Sequence, residues 1–296
     1  MSILIVGNAV VDIAYRIRRL PRPGETLLAS ARTIDVGGKA LNQAVAARRA
    51  GAEVRLLAPV GRDEAAQRIR DLLAREGLDP ALLVAVDAPT DEAVIWVADD
   101  GENAIVSTAD AARGLLATDV AAVEGLGPTD TLLMQGNIPT ETMARCLDAV
   151  RGGGVRLVVN TAPFVPGAEL LVPMADVLVV NRGEAAGLSG ATTPAAAAEA
   201  LVGRGAGSVV VTLGAAGAHV LTGGSHHRLP APEVTAIDTT GAGDVFAGVL
   251  AAALDAGTDL RAATTWAVRA ASLKVTRRGT IAGFPTAAEM AALRQG

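Results

Sequence analysis

An α/β fold, a mostly parallel sheet with helices on both faces and a small antiparallel sheet beside it, is predicted by three features of this 296-residue sequence. Short apolar runs rich in Val, Ile and Leu recur along the chain. Ala/Leu/Arg-rich stretches of helical length follow most of them. Two further segments break that rhythm with alternation or a hairpin turn. Apolar runs without alternation suit strands covered on both faces, and strand–helix repetition produces a parallel sheet between helical layers.

Taken in order, the strands are expected at Ile3–Val6, Val54–Ala58, Thr131–Met134, Val155–Val159, Val177–Val180 and Ser208–Thr212. Helices are expected at Asn42–Ala50, Glu64–Glu76, Thr140–Val150, Pro194–Gly203, Val245–Ala256 and Arg261–Thr276. Ile13–Ile17 alternates apolar and polar residues, as a strand with one wet face does. Ala93–Val97 and Ala104–Ser107 flank Asp99-Asp100-Gly101-Glu102, a hairpin turn sequence. His219 falls in an apolar strand and is expected to be packed, whereas His226-His227 follows Gly223-Gly224-Ser225 and reads as an exposed turn.

Composition narrows the function. No apolar run approaches the roughly 18–20 uncharged residues that span a bilayer, so no membrane segment is expected. The N-terminus lacks a basic region and runs straight into a strand; with one cysteine, Cys146, this fits a reducing, cytoplasmic setting. A net charge of −5, with three Phe and one Tyr, argues against nucleic acid as a partner. Only two lysines stand among the 26 basic residues, Lys39 and Lys274, which makes each worth inspecting.

The chemistry-bearing stretches are two glycine turns that open helices. Asp238-Thr239-Thr240-Gly241-Ala242-Gly243-Asp244 runs into Val245-Phe246-Ala247-Gly248. Free N–H groups and the positive dipole end at such a helix start hold phosphate well. Asp244 at its mouth has the character of a base that takes a proton from an alcohol, and equally that of a helix cap; local chemistry leaves both open. Gly37-Gly38-Lys39-Ala40-Leu41-Asn42-Gln43-Ala44 is the second turn, and Lys39 and Asn42, three apart, share a helical face. A P-loop, Gly-x-x-x-x-Gly-Lys-Ser/Thr, is absent, and no Gly-x-Gly-x-x-Gly follows the first strand.

Together, about 200 residues apart, these two stretches resemble the signature regions of the ribokinase-like (PfkB) carbohydrate kinases, the ribokinase branch being the most similar. Further likenesses follow in the family's order: Leu20–Thr26, Asn160-Thr161-Ala162-Pro163, Asn181-Arg182-Gly183-Glu184 and Thr212-Leu213-Gly214-Ala215-Ala216-Gly217. The resemblance implies a doubly wound α/β domain over residues 1–296, with lid segments at about 13–36 and 90–108, and a homodimer formed through the β lid. It implies phosphorylation by ATP of a hydroxyl on a ribose or another pentose or ketose. Alternatives are a nucleoside kinase of the same family and a non-catalytic sensor of sugar or nucleotide on the same fold.

The resemblance also assigns roles. Asp244 becomes the general base, and Gly241, Ala242 and Gly243 the cradle of the transferring phosphoryl group. Asp12, Gly38, Lys39, Asn42 and Asn137 would meet the sugar. Asn181, Glu184, Thr212, Gly214 and Gly217 would meet the nucleotide, with Glu184 reaching magnesium through water. Asp238, Thr240 and Gly279 match a monovalent-cation site and imply potassium. Three departures stand out: Val10 where ribokinases place an Asn, Gly283 where they often place a serine, and Val268 near the adenine.

Overall fold

The computed structural model describes residues 1–100, 102–163 and 167–295. A large sheet contains β1 (Ile3–Val6), β4 (Val54–Val60), β5 (Leu83–Ala85), β8 (Thr131–Gln135), β9 (Arg156–Asn160), β10 (Val177–Asn181), β11 (Ser208–Thr212), β12 (Ala218–Thr222) and β13 (Ser225–Leu229). Across the sheet the order is β13-β12-β11-β10-β9-β8-β1-β4-β5. It is parallel from β11 to β5, and β12 pairs antiparallel with both β11 and β13.

Helices α1 (Lys39–Arg49), α2 (Glu64–Arg75), α8 (Ala242–Asp255), α9 (Leu260–Val275) and α10 (Ala287–Gln295) contribute to one core. Helices α5 (Thr140–Val150), α6 (Arg182–Ser189) and α7 (Pro194–Gly203) contribute to the other; two single turns, α3 (Asp110–Arg113) and α4 (Ala121–Glu124), precede β8. Strand β1 shows how four apolar residues in a row serve both sides. Ile3 and Ile5 enter the first core, Leu4 and Val6 the second, and all four are fully buried. The doubly covered, mostly parallel sheet is therefore the one the sequence predicts.

A separate four-stranded sheet is the lid, ordered β3-β2-β6-β7, with β2 (Val10–Ile17), β3 (Ala31–Gly37), β6 (Glu92–Ala98) and β7 (Asn103–Ser107). β2 pairs antiparallel with β3 and parallel with β6, and β6 with β7 antiparallel. Gly101 of the expected hairpin turn lies outside the described residues.

Two differences from the sequence reading matter. Helices α1 and α8 begin three residues earlier than expected, at Lys39 and Ala242. Their first turns need no helical N–H partner, so glycine and polar residues sit there at little cost. The histidines also move: His226 and His227 lie in edge strand β13, not in a turn. His219 stands beside His226 with ring nitrogens 2.9 Å apart instead of being packed away. Gly223-Gly224, each with positive φ, makes the turn on its own.

Candidate active site

The C-terminal ends of the parallel strands carry polar residues in a row. β8 ends on Gln135, β9 on Asn160, β10 on Asn181 and β11 on Thr212. Ligands of open α/β sheets bind at that edge. Helices α1 and α8 cross over it at close range: a Cβ on Gly248 would come within 2.5 Å of the Gln43 carbonyl oxygen and 2.8 Å of Ala46 Cβ. This approach brings the two glycine turns together.

Asp244 sits in the first turn of α8, only 7% exposed. Asn42 Nδ2 donates to its Oδ2 at 2.9 Å, and Gln43 Nε2 to its Oδ1 at 3.2 Å. Gln43 also donates to Asn160 Oδ1 (3.1 Å) and accepts from Gln135 Nε2 (2.6 Å). One buried amide thus ties helix α1, strands β8 and β9, and the carboxylate. Burial pushes the Asp244 pKa up, against which the Lys39 charge and the two amides pull it down.

The loop before α8 turns at Gly241, whose φ of 75° favours glycine. A side chain there would also meet Phe284 at 2.9 Å and Thr280 at 3.0 Å. The Ala242 N–H donates to Thr239 O at 3.2 Å. The Gly241 and Gly243 N–H groups have no partner among the described residues.

On the lid side, Asp12 of β2 faces Asp35 of β3 across the sheet. Its pKa is raised to about 6, first by burial, then by the charges of Asp35 and Asp244. Gly37 leaves it room, since a Cβ there would stand 2.2 Å from Asp12 Oδ2 and displace the carboxylate. Gly38, at φ 100°, caps α1, and the Lys39 N–H donates to Asn8 Oδ1 at 3.0 Å. Asn137 donates to the same oxygen at 2.6 Å. Asp12 and Asp238–Thr240 share a cleft of about 750 Å³ between lid and body, also lined by Ala14, Thr33, Ile95 and Arg278. Nearby, Asn42 Oδ1, Gln135 Oε1 and Asn137 Oδ1 are buried without a hydrogen-bond partner among the described residues.

Further along the edge, Asn181 and Glu184 open α6 as a reciprocal cap. Asn181 Oδ1 accepts from the Glu184 N–H, and Glu184 Oε2 from the Asn181 N–H, each at 2.9 Å. Thr212 pairs with Asn181 in the register of β10 and β11, and Gly214 and Gly217 follow in the next turn with positive φ.

The family model for pfkB carbohydrate kinases matches residues 1–287. The chain belongs to the pfkB family. Among relatives, the ribokinase of Haemophilus influenzae is 32% identical, covering 97% of this chain and 96% of its own. A deoxyribokinase of Salmonella typhi is 31% identical with the same coverage. The structure of Arabidopsis thaliana ribokinase complexed with ribose and ATP superposes with a TM-score of 0.90 at 27% identity, covering 100% of this chain and 99% of that one. The protein is therefore a ribokinase-like carbohydrate kinase, an ATP-using phosphotransferase acting on a sugar hydroxyl.

Within this pfkB kinase the structure brings Asp244, Asn42 and the charge of Lys39 together, and places Asp12 across from them. Sequence reasoning passed over Gln43, Gln135, Asn160 and Asn8 as site residues. Gln43 lay inside the quoted motif, directly after Asn42, and that membership was the available signal. Asn8, in the loop just before β2, supplies a polar group two residues from the apolar Val10 that opens that strand.

Magnesium fits the nucleotide half. Glu184 Oε1 makes no hydrogen bond among the described residues, and no cluster of three or more metal-ligating side chains exists among them. An ion held by one carboxylate, waters and substrate phosphates is how magnesium binds in such sites. Potassium does not fit as expected. Asp238 Oδ1 accepts from the Thr240 N–H and Oδ2 from the Gly279 N–H, both at 2.9 Å. Lys274 Nζ takes the Asp238 and Arg277 carbonyls at 2.8 and 3.4 Å.

Proposed function

We propose that this kinase transfers the γ-phosphoryl group of ATP to a hydroxyl of a free pentose, ribose or a near relative, with Asp244 as general base. One observation carries the reading: a single carboxylate, buried at the start of α8, is gripped by two amides from the other glycine turn. A structural helix cap would bond its own N–H groups; here both carboxylate oxygens reach across about 200 residues to α1.

The acceptor hydroxyl lies between Asp12 and Asp244 in this reading. Asp244 takes its proton as the oxygen attacks the γ-phosphorus in line. Burial strengthens Asp244 as a base, while Lys39, Asn42 and Gln43 pull the other way by favouring its charged form, and the two amides aim it. The Gly241 and Gly243 N–H groups, at the positive end of α8, receive the charge that develops on the phosphoryl oxygens. Asn181, Thr212, Gly214 and Gly217 hold the nucleotide. Glu184 would hold magnesium, which would supply charge neutralisation for the transferring phosphoryl group.

Support for a pentose comes from the three unpartnered amide oxygens near the base, which call for hydroxyl donors. It also comes from relatives named for ribose and deoxyribose. Residues 1–296 act as one kinase unit with lid segments 13–36 and 90–108. The exposed Leu28, Ile105 and Val106 around the lid favour a homodimer through it.

The test is ADP release over a panel of pentoses, ketoses and nucleosides, for the native chain and Asp244→Asn. The expected result is pentose-dependent turnover that falls at least ~10²-fold in the variant with little change in KM. Turnover with nucleosides alone replaces the acceptor class. Nucleotide or sugar binding without any turnover makes the chain a sensor. An Asp244→Asn enzyme of native activity removes the base.

A further inference from the structure

Lys274 is one of two lysines in the chain, and the phosphoryl-transfer steps above leave it unused. It stands in the last turn of α9 with no exposure to solvent. Its Nζ donates to the Asp238 carbonyl at 2.8 Å and the Arg277 carbonyl at 3.4 Å, and lies 3.8 Å from Asp238 Oδ1. An ammonium group is strongly hydrated, and removing it from water is costly unless oxygens take the place of that water. Two carbonyls, a carboxylate and the negative end of α9 do so here.

These oxygens come from two segments whose relative position matters. Asp238 opens the loop that carries Gly241 and Gly243. Arg277 lies in the turn after α9, whose Val275 carbonyl accepts the Ile237 and Asp238 N–H groups. Gly283, from the following turn, packs so tightly that a Cβ would stand 2.9 Å from the Arg278 carbonyl. No side-chain oxygen reaches the site from that position.

We infer that Lys274 is a tethered monovalent cation: its ammonium fills the place that the family resemblance gives to potassium, pins the phosphate loop to α9, and frees catalysis from added monovalent ions. It rests on reading Asp238–Asp244 as the phosphate loop. Lys274 is a positioning residue, acting through that loop on the Gly241 and Gly243 N–H groups.

The native enzyme is assayed with ATP, magnesium and its acceptor in potassium, sodium or tetramethylammonium chloride at equal ionic strength. Rates are expected to agree within about twofold; a dependence on potassium of about tenfold or more overturns the inference. Lys274→Ala is expected to lose about tenfold or more in kcat in tetramethylammonium, with KM values nearly unchanged, and to recover most of it in potassium or ammonium. Lys274→Met, which fills the space without charge, is expected to lose as much and recover nothing. Native-like rates for either variant in tetramethylammonium, or no recovery by a folded Lys274→Ala, sink it. Melting temperature gives a reading that needs no substrate: potassium is expected to raise that of Lys274→Ala by several degrees and leave the native protein unmoved. That measurement separates a wrong cation from a wrong acceptor, and the native ion comparison needs no variant to fold.

Discussion

Where helices α1 and α8 meet, Asp244, Asn42, Gln43 and Asn160 are buried and joined by hydrogen bonds spanning 117 to 202 residues. At the start of α6, Asn181 and Glu184 are joined across three residues in an exposed cap. The first arrangement exists only once helices α1 and α8 have packed, and each buried group depends on its neighbours being in place. The second forms wherever α6 forms. The contrast teaches where rate and discrimination reside: buried groups that must be satisfied fix geometry and reject wrong partners strongly, while an exposed cap tolerates change.

The largest way to sharpen this contrast is Asp244→Asn. The amide leaves one of its two donors, Asn42 or Gln43, facing another N–H, a cost of about 1–2 kcal/mol. That is small beside the loss that the proposed base role predicts, so folding judged by circular dichroism is expected to persist while kcat falls at least ~10²-fold.

Gln43→Leu attacks the network and not the base. It leaves Asp244, Asn160 and Gln135 each short of a partner in a buried site. Denaturant unfolding is expected to show about 2–4 kcal/mol of lost stability, and kcat a roughly tenfold fall. A stable, fully active Gln43→Leu breaks the claim that this half works as one buried unit.

Asp12 tests the same half through pH. Its folded pKa of about 6 stands above the ordinary 3.8, so ionisation above pH 6 costs the native state. That cost is absent below the unfolded value and is complete above the folded one. Asp12→Asn is therefore expected to gain about 1–2 kcal/mol at pH 8, after allowance for its partial exposure, and nothing below about pH 4. In the native enzyme, KM for the acceptor rises as pH falls through about 6, because the protonated acid loses acceptor capacity toward sugar hydroxyls. A KM flat from pH 5 to pH 8, checked by initial rates, removes Asp12 from sugar binding.

The sheet was legible because burial on both faces writes uniform apolar runs such as Ile3–Val6, and the two glycine turns because phosphate and close helix packing demand them. The early starts of α1 and α8 were not, since first-turn residues obey capping chemistry and not apolar periodicity. Gln43 and Asn8 escaped notice for a different reason. Their roles arise from contacts with Asp244, Asn160 and Asn137 that no local spacing encodes. Lys274 shows the limit from the other direction: its rarity marked it, but only its placement against two carbonyls gave it meaning.

The smallest expected effect lies on the nucleotide side. Asn181→Ala removes the side-chain oxygen that accepts the Glu184 N–H, a cap whose loss costs about 1 kcal/mol. Glu184 then loses its fixed geometry at the start of α6, so KM for ATP with magnesium is expected to rise a few-fold, roughly the effect of one exposed hydrogen bond. KM for the sugar is expected to stay where it was, because neither hydrogen bond of this cap reaches α1 or α8. Should initial rates show both KM values rising together, the exposed cap is coupled to the buried network after all, and the two halves of the cleft respond as one.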